Sequence, residues 1–190
     1  MRIVGGSLRG RPLATPADMA TRPTSDRVRE AIFNILAHGI ADFELAGTRA
    51  LDLFAGTGAL GLEAISRGAR FCLFVEEDAA ARALIRQNIE AFGLTGITKI
   101  FRRDATDLGP LQGGAAYGLA LLDPPYGRGL GEKALASAAS GGWLAPNALC
   151  VLEERKGTDV DLPAGFVRAD VRTWGDTTVA FLRYRPQQAG

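Results

Sequence analysis

Five consecutive residues, Leu122-Asp123-Pro124-Pro125-Tyr126, put a carboxylate, two prolines and an aromatic ring directly after the apolar run Tyr117-Gly118-Leu119-Ala120-Leu121-Leu122. The run reads as a buried strand, and open α/β sheets bind ligands beyond the carboxyl ends of their strands. A planar amine can be held at such a place. Asp123 can accept one N–H and the Pro124 carbonyl a second, while two successive prolines fix the backbone and remove competing donors. Tyr126 can stack on the ring that carries the amine. The same residues also suit an ordinary strand-ending turn, because Asp and Pro are common in turns. A second motif weighs against the turn.

Leu51-Asp52-Leu53-Phe54-Ala55-Gly56-Thr57-Gly58-Ala59-Leu60-Gly61 joins another strand to a helix. Its glycines let the backbone turn tightly and approach a ligand. Gly56-x-Gly58-x-x-Gly61 matches the dinucleotide fingerprint, a weak signal alone. Glu76 lies about 20 residues on, where a carboxylate can bind ribose hydroxyls. A phosphate-gripping loop would need Gly-Lys-Ser/Thr, and Leu62-Glu63 follows Gly61 instead. Two readings remain, a nicotinamide cofactor and S-adenosylmethionine. The second explains Asp52, because that cofactor carries a cationic amine and no diphosphate. Asp104, after a third strand in Arg103-Asp104-Ala105, can accept a bond from an adenine amino group or serve as a cap.

The surrounding pattern supplies the frame. Thr24 or Ser25 can cap a helix with Asp26 in its first turn. Val28, Ala31, Ile32, Ile35 and Leu36 give it an apolar stripe, and it should run to about His38. Beyond it, strands over 49–54, 71–76, 98–102, 119–123 and 148–153 alternate with helices over 59–67, 79–92 and 132–140. Two late strands, 166–173 and 178–185, flank the turn Trp174-Gly175-Asp176. Alternating βα units predict a doubly wound, mostly parallel sheet of seven strands. The short closing turn makes the last strand antiparallel. Residues 1–24 read as a basic arm with a short hairpin over 2–14, 25–185 as one domain, and 186–190 as a disordered tail.

Bulk properties narrow the classes. The 190 residues suit one larger domain, and 47% apolar residues can build its core. Net charge is +1, so no global nucleic-acid signature exists, but residues 1–29 hold Arg2, Arg9, Arg11, Arg22, Arg27 and Arg29 against Asp18 and Asp26. A basic arm beside a neutral domain suits RNA phosphates or plain solvation. Cys72 and Cys150 lie in apolar runs and read as buried thiols, and His38 is the single histidine, so no metal site is expected. With no signal peptide or long apolar span, a cytoplasmic, monomeric protein without membrane contact is expected.

Asp52-x-Phe54-x-Gly56-x-Gly58 together with Asp123-Pro124-Pro125-Tyr126 resembles class I methyltransferases that act on exocyclic amines. Met1-Arg2-Ile3-Val4-Gly5-Gly6, the block over 21–31, the stretch 51–68, Phe74-Val75-Glu76 and Gly175-Asp176-Thr177 narrow the likeness. The chain is similar over nearly its whole length to the RsmD family, which methylates the N2 of guanine 966 in 16S ribosomal RNA. The resemblance implies a Rossmann-like class I methyltransferase fold with a short N-terminal β-hairpin extension, S-adenosylmethionine as cofactor, and 16S rRNA in an assembling small subunit as partner. It implies that Asp52, Phe54, Ala55, Gly56, Thr57 and Gly58 line the methionine end, that Glu76 holds the ribose, and that Asp104 and Ala105 border the adenine. Arg22, Pro23, Thr24 and Ser25 would form a lid. Asp123, Pro124, Pro125 and Tyr126 would hold the guanine. Apart from the resemblance, Arg2, Arg9 and Arg11 of the basic arm are placed to touch RNA phosphates, as is Arg128 of the flexible loop Gly127-Arg128-Gly129-Leu130-Gly131. The same residues also suit a solvated arm and a mobile linker. The stretch Glu77-Asp78-Ala79-Ala80-Ala81 departs from the family, being more acidic and then smaller.

Other readings share parts of this pattern. DNA adenine-N6 and protein glutamine methyltransferases use the same Pro-Pro-Tyr element but usually carry Asn where Asp123 stands, with an added recognition domain. A non-catalytic cofactor-binding regulator or a dehydrogenase would leave Asp-Pro-Pro-Tyr unexplained.

Overall fold

The computed structural model describes residues 1–16 and 25–186. Ser25 caps helix α1 (Asp26–His38), its hydroxyl accepting the Val28 amide at 3.2 Å. The α/β alternation then follows: β1 (Arg49–Leu53), α2 (Ala59–Ser66), β2 (Phe71–Val75), α3 (Ala79–Phe92), β3 (Thr98–Phe101), β4 (Tyr117–Leu122), α4 (Leu130–Ser140), β5 (Leu144–Arg155), β6 (Phe166–Trp174) and β7 (Thr177–Tyr184). The strands form one sheet of order β3-β2-β1-β4-β5-β7-β6. β1 to β5 are parallel, and β7 runs antiparallel to both its neighbours. The strand order reverses between β1 and β4, the place where doubly wound sheets open a crevice.

The central strands are apolar along their whole length because both sheet faces are covered. Leu62, Phe74, Ile85, Leu119 and Leu121 pack with α1, α2 and α3 on one face. Leu51, Leu53, Val75, Leu122, Leu135 and Leu152 pack with α4 on the other. β5 begins four residues before its expected start. A register shift between Tyr117 and Leu119 of the paired strand, with Asn147 at φ 62°, admits Pro146 to its first half.

Two expectations about the N-terminal part change. The arm does pair on itself as a short hairpin, with an antiparallel bridge from Arg2 to Pro12 and backbone bonds between Ile3 and Arg11 and between Leu13 and Met1. It is packed and not free, its Ile3 and Leu13 being buried. On α1, Arg29 and Phe33 are buried while Val28 and Ile35 are only partly so. The reason is electrostatic. Arg29 lies 3.6 Å from the buried Glu63 of α2 and 2.8 Å from Asp26, and it also donates to the Arg2 carbonyl. Glu63 in turn holds Arg67 at 2.7 Å and accepts the Val4 amide at 2.9 Å. This network ties the arm, α1 and α2 together, and a periodicity argument cannot foresee a charged residue buried in that way.

Candidate active site

The register places the site residues in a row. Val75, Leu53, Leu122 and Leu152 are neighbours across β2, β1, β4 and β5. The next residue of each strand is therefore Glu76, Phe54, Asp123 and Glu153, side by side at the sheet's carboxyl edge. Residues up to 99 positions apart in sequence thus share one edge only because the strands pair in this register.

Behind the edge, the glycine loop is fixed from two sides. Asp52 is 1% exposed, and its Oδ2 accepts the Gly61 amide of α2 at 2.9 Å. Burial pushes its carboxyl well above the usual range, against the Gly61 bond and with the fields of Asp123 and Glu76. A Cβ on Gly61 would lie 2.4 Å from the Phe74 ring and 2.6 Å from Cys72 Sγ. The third glycine thus serves close packing of helix on strand. Phe54 is held at φ 59°, a costly conformation for an aromatic residue and one that concentrates at functional sites. Gly56 and Gly58 continue at positive φ without penalty.

Glu76 reaches over this loop. Its Oε2 accepts the Gly56 amide and its Oε1 the Asp78 amide, both at 2.8 Å. Asp104 turns on itself, with one oxygen taking the Thr106 amide and hydroxyl, each at 2.7 Å. Its second oxygen accepts no bond among the described residues, and the carboxyl borders the cavity.

The Asp-Pro-Pro-Tyr segment is held by β5. The Tyr126 hydroxyl donates to Glu153 Oε1 at 2.5 Å, and Thr177 neighbours the phenol. Burial, reinforced by Glu153, raises the phenol's pKa, so it remains a donor. Glu154 accepts the Gly127 amide at 2.9 Å. The loop Gly127-Arg128-Gly129-Leu130-Gly131 is shorter than its five residues suggest, since α4 begins at Leu130. Gly131 already lies in the first turn of α4, and a Cβ there would meet Leu152 at 2.5 Å.

One cavity of about 790 Å³ joins these parts. Phe54, Glu76, Asp104 and Ala105 line one portion, Asp123, Pro124, Pro125, Tyr126 and Arg128 another. Ala55, Gly56, Thr57 and Gly58 continue from Phe54 outside the lining, and Asp52 is buried beneath them. Ser25 is also outside it, its hydroxyl capping α1. Arg22, Pro23 and Thr24, the other lid residues, lie outside the described residues. Among the arginines expected at RNA, only Arg128 borders the cavity. Arg2 is 3.8 Å from Asp26, and Arg11 donates to the Ala91 carbonyl at 2.7 Å while lying over the Phe92 ring. Arg9 is exposed.

Sequence reasoning missed Glu153, Glu154, Thr177 and Arg155. The two glutamates close the apolar run Leu149-Cys150-Val151-Leu152, and acids ending a buried strand are a signal that could have found them. Arg155 lines the cavity beside Arg128, and neither guanidinium has a partner among the described residues. Arg103 also borders the cavity, but Asp107 holds it, with the carbonyl at 2.6 Å.

The charges divide in a way that bears on the ligand. Glu76, Glu77, Asp78 and Asp104 gather above β2 and β3, where Arg103 is held by Asp107, while Arg128 and Arg155 lie above β4 and β5 with Asp123. The acidic portion suits a cation and repels a diphosphate, and the volume lies in the ordinary range for small-ligand sites, about 300–1,000 Å³. A cationic, diphosphate-free nucleoside cofactor fits these residues.

The model of a family described as conserved hypothetical protein 95 matches residues 1–183. The ribosomal RNA small subunit methyltransferase D of Escherichia coli (strain K12) is 39% identical over 153 residues, covering 80% of this chain and 74% of that protein. The solved structure of yhhF from Escherichia coli is 32% identical with a TM-score of 0.83, over 98% of this chain and 99% of that one. An RNA methyltransferase from Salinibacter ruber, solved with S-adenosyl-L-homocysteine, shares the fold at 16% identity and a TM-score of 0.63, over 89% of this chain and 99% of that one.

Proposed function

This chain belongs to the RsmD family of rRNA methyltransferases, and from that premise we propose that it methylates the exocyclic N2 amine of one guanine in small-subunit rRNA, the guanine at position 966 by family likeness. Its cofactor is S-adenosylmethionine. The observation that carries the reading is the single cavity in which Asp123-Pro124-Pro125-Tyr126 faces the acidic portion around Glu76 and Asp104.

The bound cofactor supplies an activated methyl group on a sulfonium. The protein's task is then to prepare a poor nucleophile, since the lone pair of a guanine N2 is delocalised into the ring. Asp123 accepts one amine N–H and the Pro124 carbonyl the other, which favours a pyramidal nitrogen with its lone pair directed at the methyl group. Pro125 fixes the turn, and the Tyr126 ring stacks on the base. Positioning of this kind is worth about 7–11 kcal/mol. Asp123 also offsets the positive charge that grows on the nitrogen. Glu76 and Asp104 hold the nucleoside part of the cofactor. Asp52 acts from behind, fixing Gly61 and so the loop.

A guanine reaches this cavity only when unpaired or flipped out. Arg128 and Arg155 meet its flanking phosphates. The N-terminal arm braces α1 and α2, with Arg2, Arg9 and Arg11 exposed on it. The substrate is the assembling small subunit, whose own surface supplies part of the recognition. Mass mapping of the modified nucleotide, after incubation with small-subunit particles and with naked 16S RNA, tests the proposal. N2-methylguanine at one position, formed faster on particles, is the expected result. Methylation of adenine, or of protein alone, would overturn it.

A further inference from the structure

The proposed stacking role of Tyr126 leaves its hydroxyl unexplained, since a phenylalanine would stack equally well. Yet that hydroxyl has a buried acceptor. It donates to Glu153 at 2.5 Å, and Thr177 neighbours it. Glu153 and Thr177 are both 3% exposed. Glu153 follows Leu152, the register partner of Leu122, so it emerges beside Asp123. Thr177 opens β7 after the Gly175-Asp176 turn, and the Asp176 carbonyl accepts the Lys156 amide at 2.8 Å. A buried carboxylate carries a large desolvation cost, so its placement here calls for a function.

We infer that Glu153 tethers the Tyr126 hydroxyl and so sets the plane of the ring against which the target base stacks. It is a positioning residue, and the inference rests on the functional reading above. A tyrosine ring has two side-chain torsions, and packing alone leaves it free to tilt. Tilting the ring tilts the stacked guanine, and N2 then moves relative to Asp123. With the hydroxyl fixed from β5, the ring and Asp123 are referenced to the same sheet edge.

The test is a double-mutant cycle of Tyr126→Phe and Glu153→Leu, with Glu153→Gln as the conservative variant, in steady-state methylation of small-subunit particles. Each of the first two should lower kcat about 10-fold, as a small misplacement of reacting atoms does. KM for the RNA and the dissociation constant for S-adenosylmethionine should stay within about 3-fold. The double variant should fall no further than either single one, because both remove the same bond. Glu153→Gln keeps an acceptor and should retain activity within about 3-fold. Losses that multiply to about 100-fold, an unaffected Glu153→Leu, or a Glu153→Gln as slow as Glu153→Leu would each overturn the tether. A wild-type protein inactive on small-subunit RNA would overturn the functional reading instead. The tether is then judged by NMR of the Tyr126 ring, one of three tyrosines in the chain. Its slow ring flips should become fast in Glu153→Leu, and unchanged flipping would refute it.

Discussion

Asp52 and Gly61, nine residues apart, meet through a 2.9 Å hydrogen bond from the Gly61 amide to Oδ2. The acid that opens the cofactor motif thus holds the helix that closes it. A Cβ on Gly61 would come within 2.8 Å of that same oxygen. The two positions are therefore coupled, one needing a carbonyl-like acceptor and the other needing no side chain.

Gly61→Ala should lower stability by about 1–3 kcal/mol, the usual cost of overpacking a tight core. The added methyl meets the Phe74 ring, Cys72 Sγ and the Asp52 carboxylate with little room to yield. Thermal unfolding with and without S-adenosylmethionine measures both consequences. Stabilisation by the cofactor should shrink, because α2 can no longer seat the loop. Unaltered melting in both conditions would contradict this packing role.

Asp52 should make stability depend on pH in a defined direction. Its folded pKa lies well above the ordinary value, chiefly through burial. In the unfolded chain it titrates near about pH 4. The folded state therefore holds more protons across the window between those two values, and its stability falls as pH rises through that window, by up to about 1.4 kcal/mol per pH unit. Below about pH 4 the contribution is complete. Asp52→Asn keeps an oxygen for Gly61 and has nothing to titrate. Urea unfolding at stepped pH should give a flatter profile for the variant, and identical profiles would refute the assignment.

Asp123→Ala should abolish methyl transfer, by at least about 100-fold, since it removes both an N–H acceptor and the charge opposite the developing cation. Binding of S-adenosylmethionine should stay within a few-fold, because Glu76 and Asp104 hold the other portion of the cavity. Single-turnover methylation with calorimetric cofactor binding separates the two. Wild-type turnover in the variant would remove Asp123 from the mechanism.

The arginines should fall into two groups. Arg128→Ala and Arg155→Ala should each weaken RNA binding and reduce the salt slope by about one. Arg11→Ala should leave the slope unchanged and lower the melting temperature, because its guanidinium lies on Phe92 and the Ala91 carbonyl. Binding titrations between low and moderate salt distinguish the groups. A reduced slope in Arg11→Ala alone would return the RNA contact to the arm.

Much of this protein is determined by sequence alone, and the reason is locality. Ser25 capping α1, the glycine loop between β1 and α2, and the apolar runs of β1, β2, β4 and β5 depend on neighbours a few residues away. The alternation of those runs with helices is enough for a doubly wound sheet, and the short turn before β7 is enough to reverse the last strand. The motif Asp123-Pro124-Pro125-Tyr126 is legible for the same reason.

What only the tertiary structure decided depends on register and burial. Glu153 stands beside Asp123 because Leu152 pairs with Leu122, and no local pattern carries that pairing. Arg29 is buried because Glu63, on another helix, offsets the cost of its charge. Arg11 faces α3 although its composition suggests an RNA arm. Asp52 lies under the loop because strand residues alternate faces, and residue 52 falls on the face that α2 covers. In each case the deciding partner is distant in sequence, and the energy of the contact exists only once the sheet has formed.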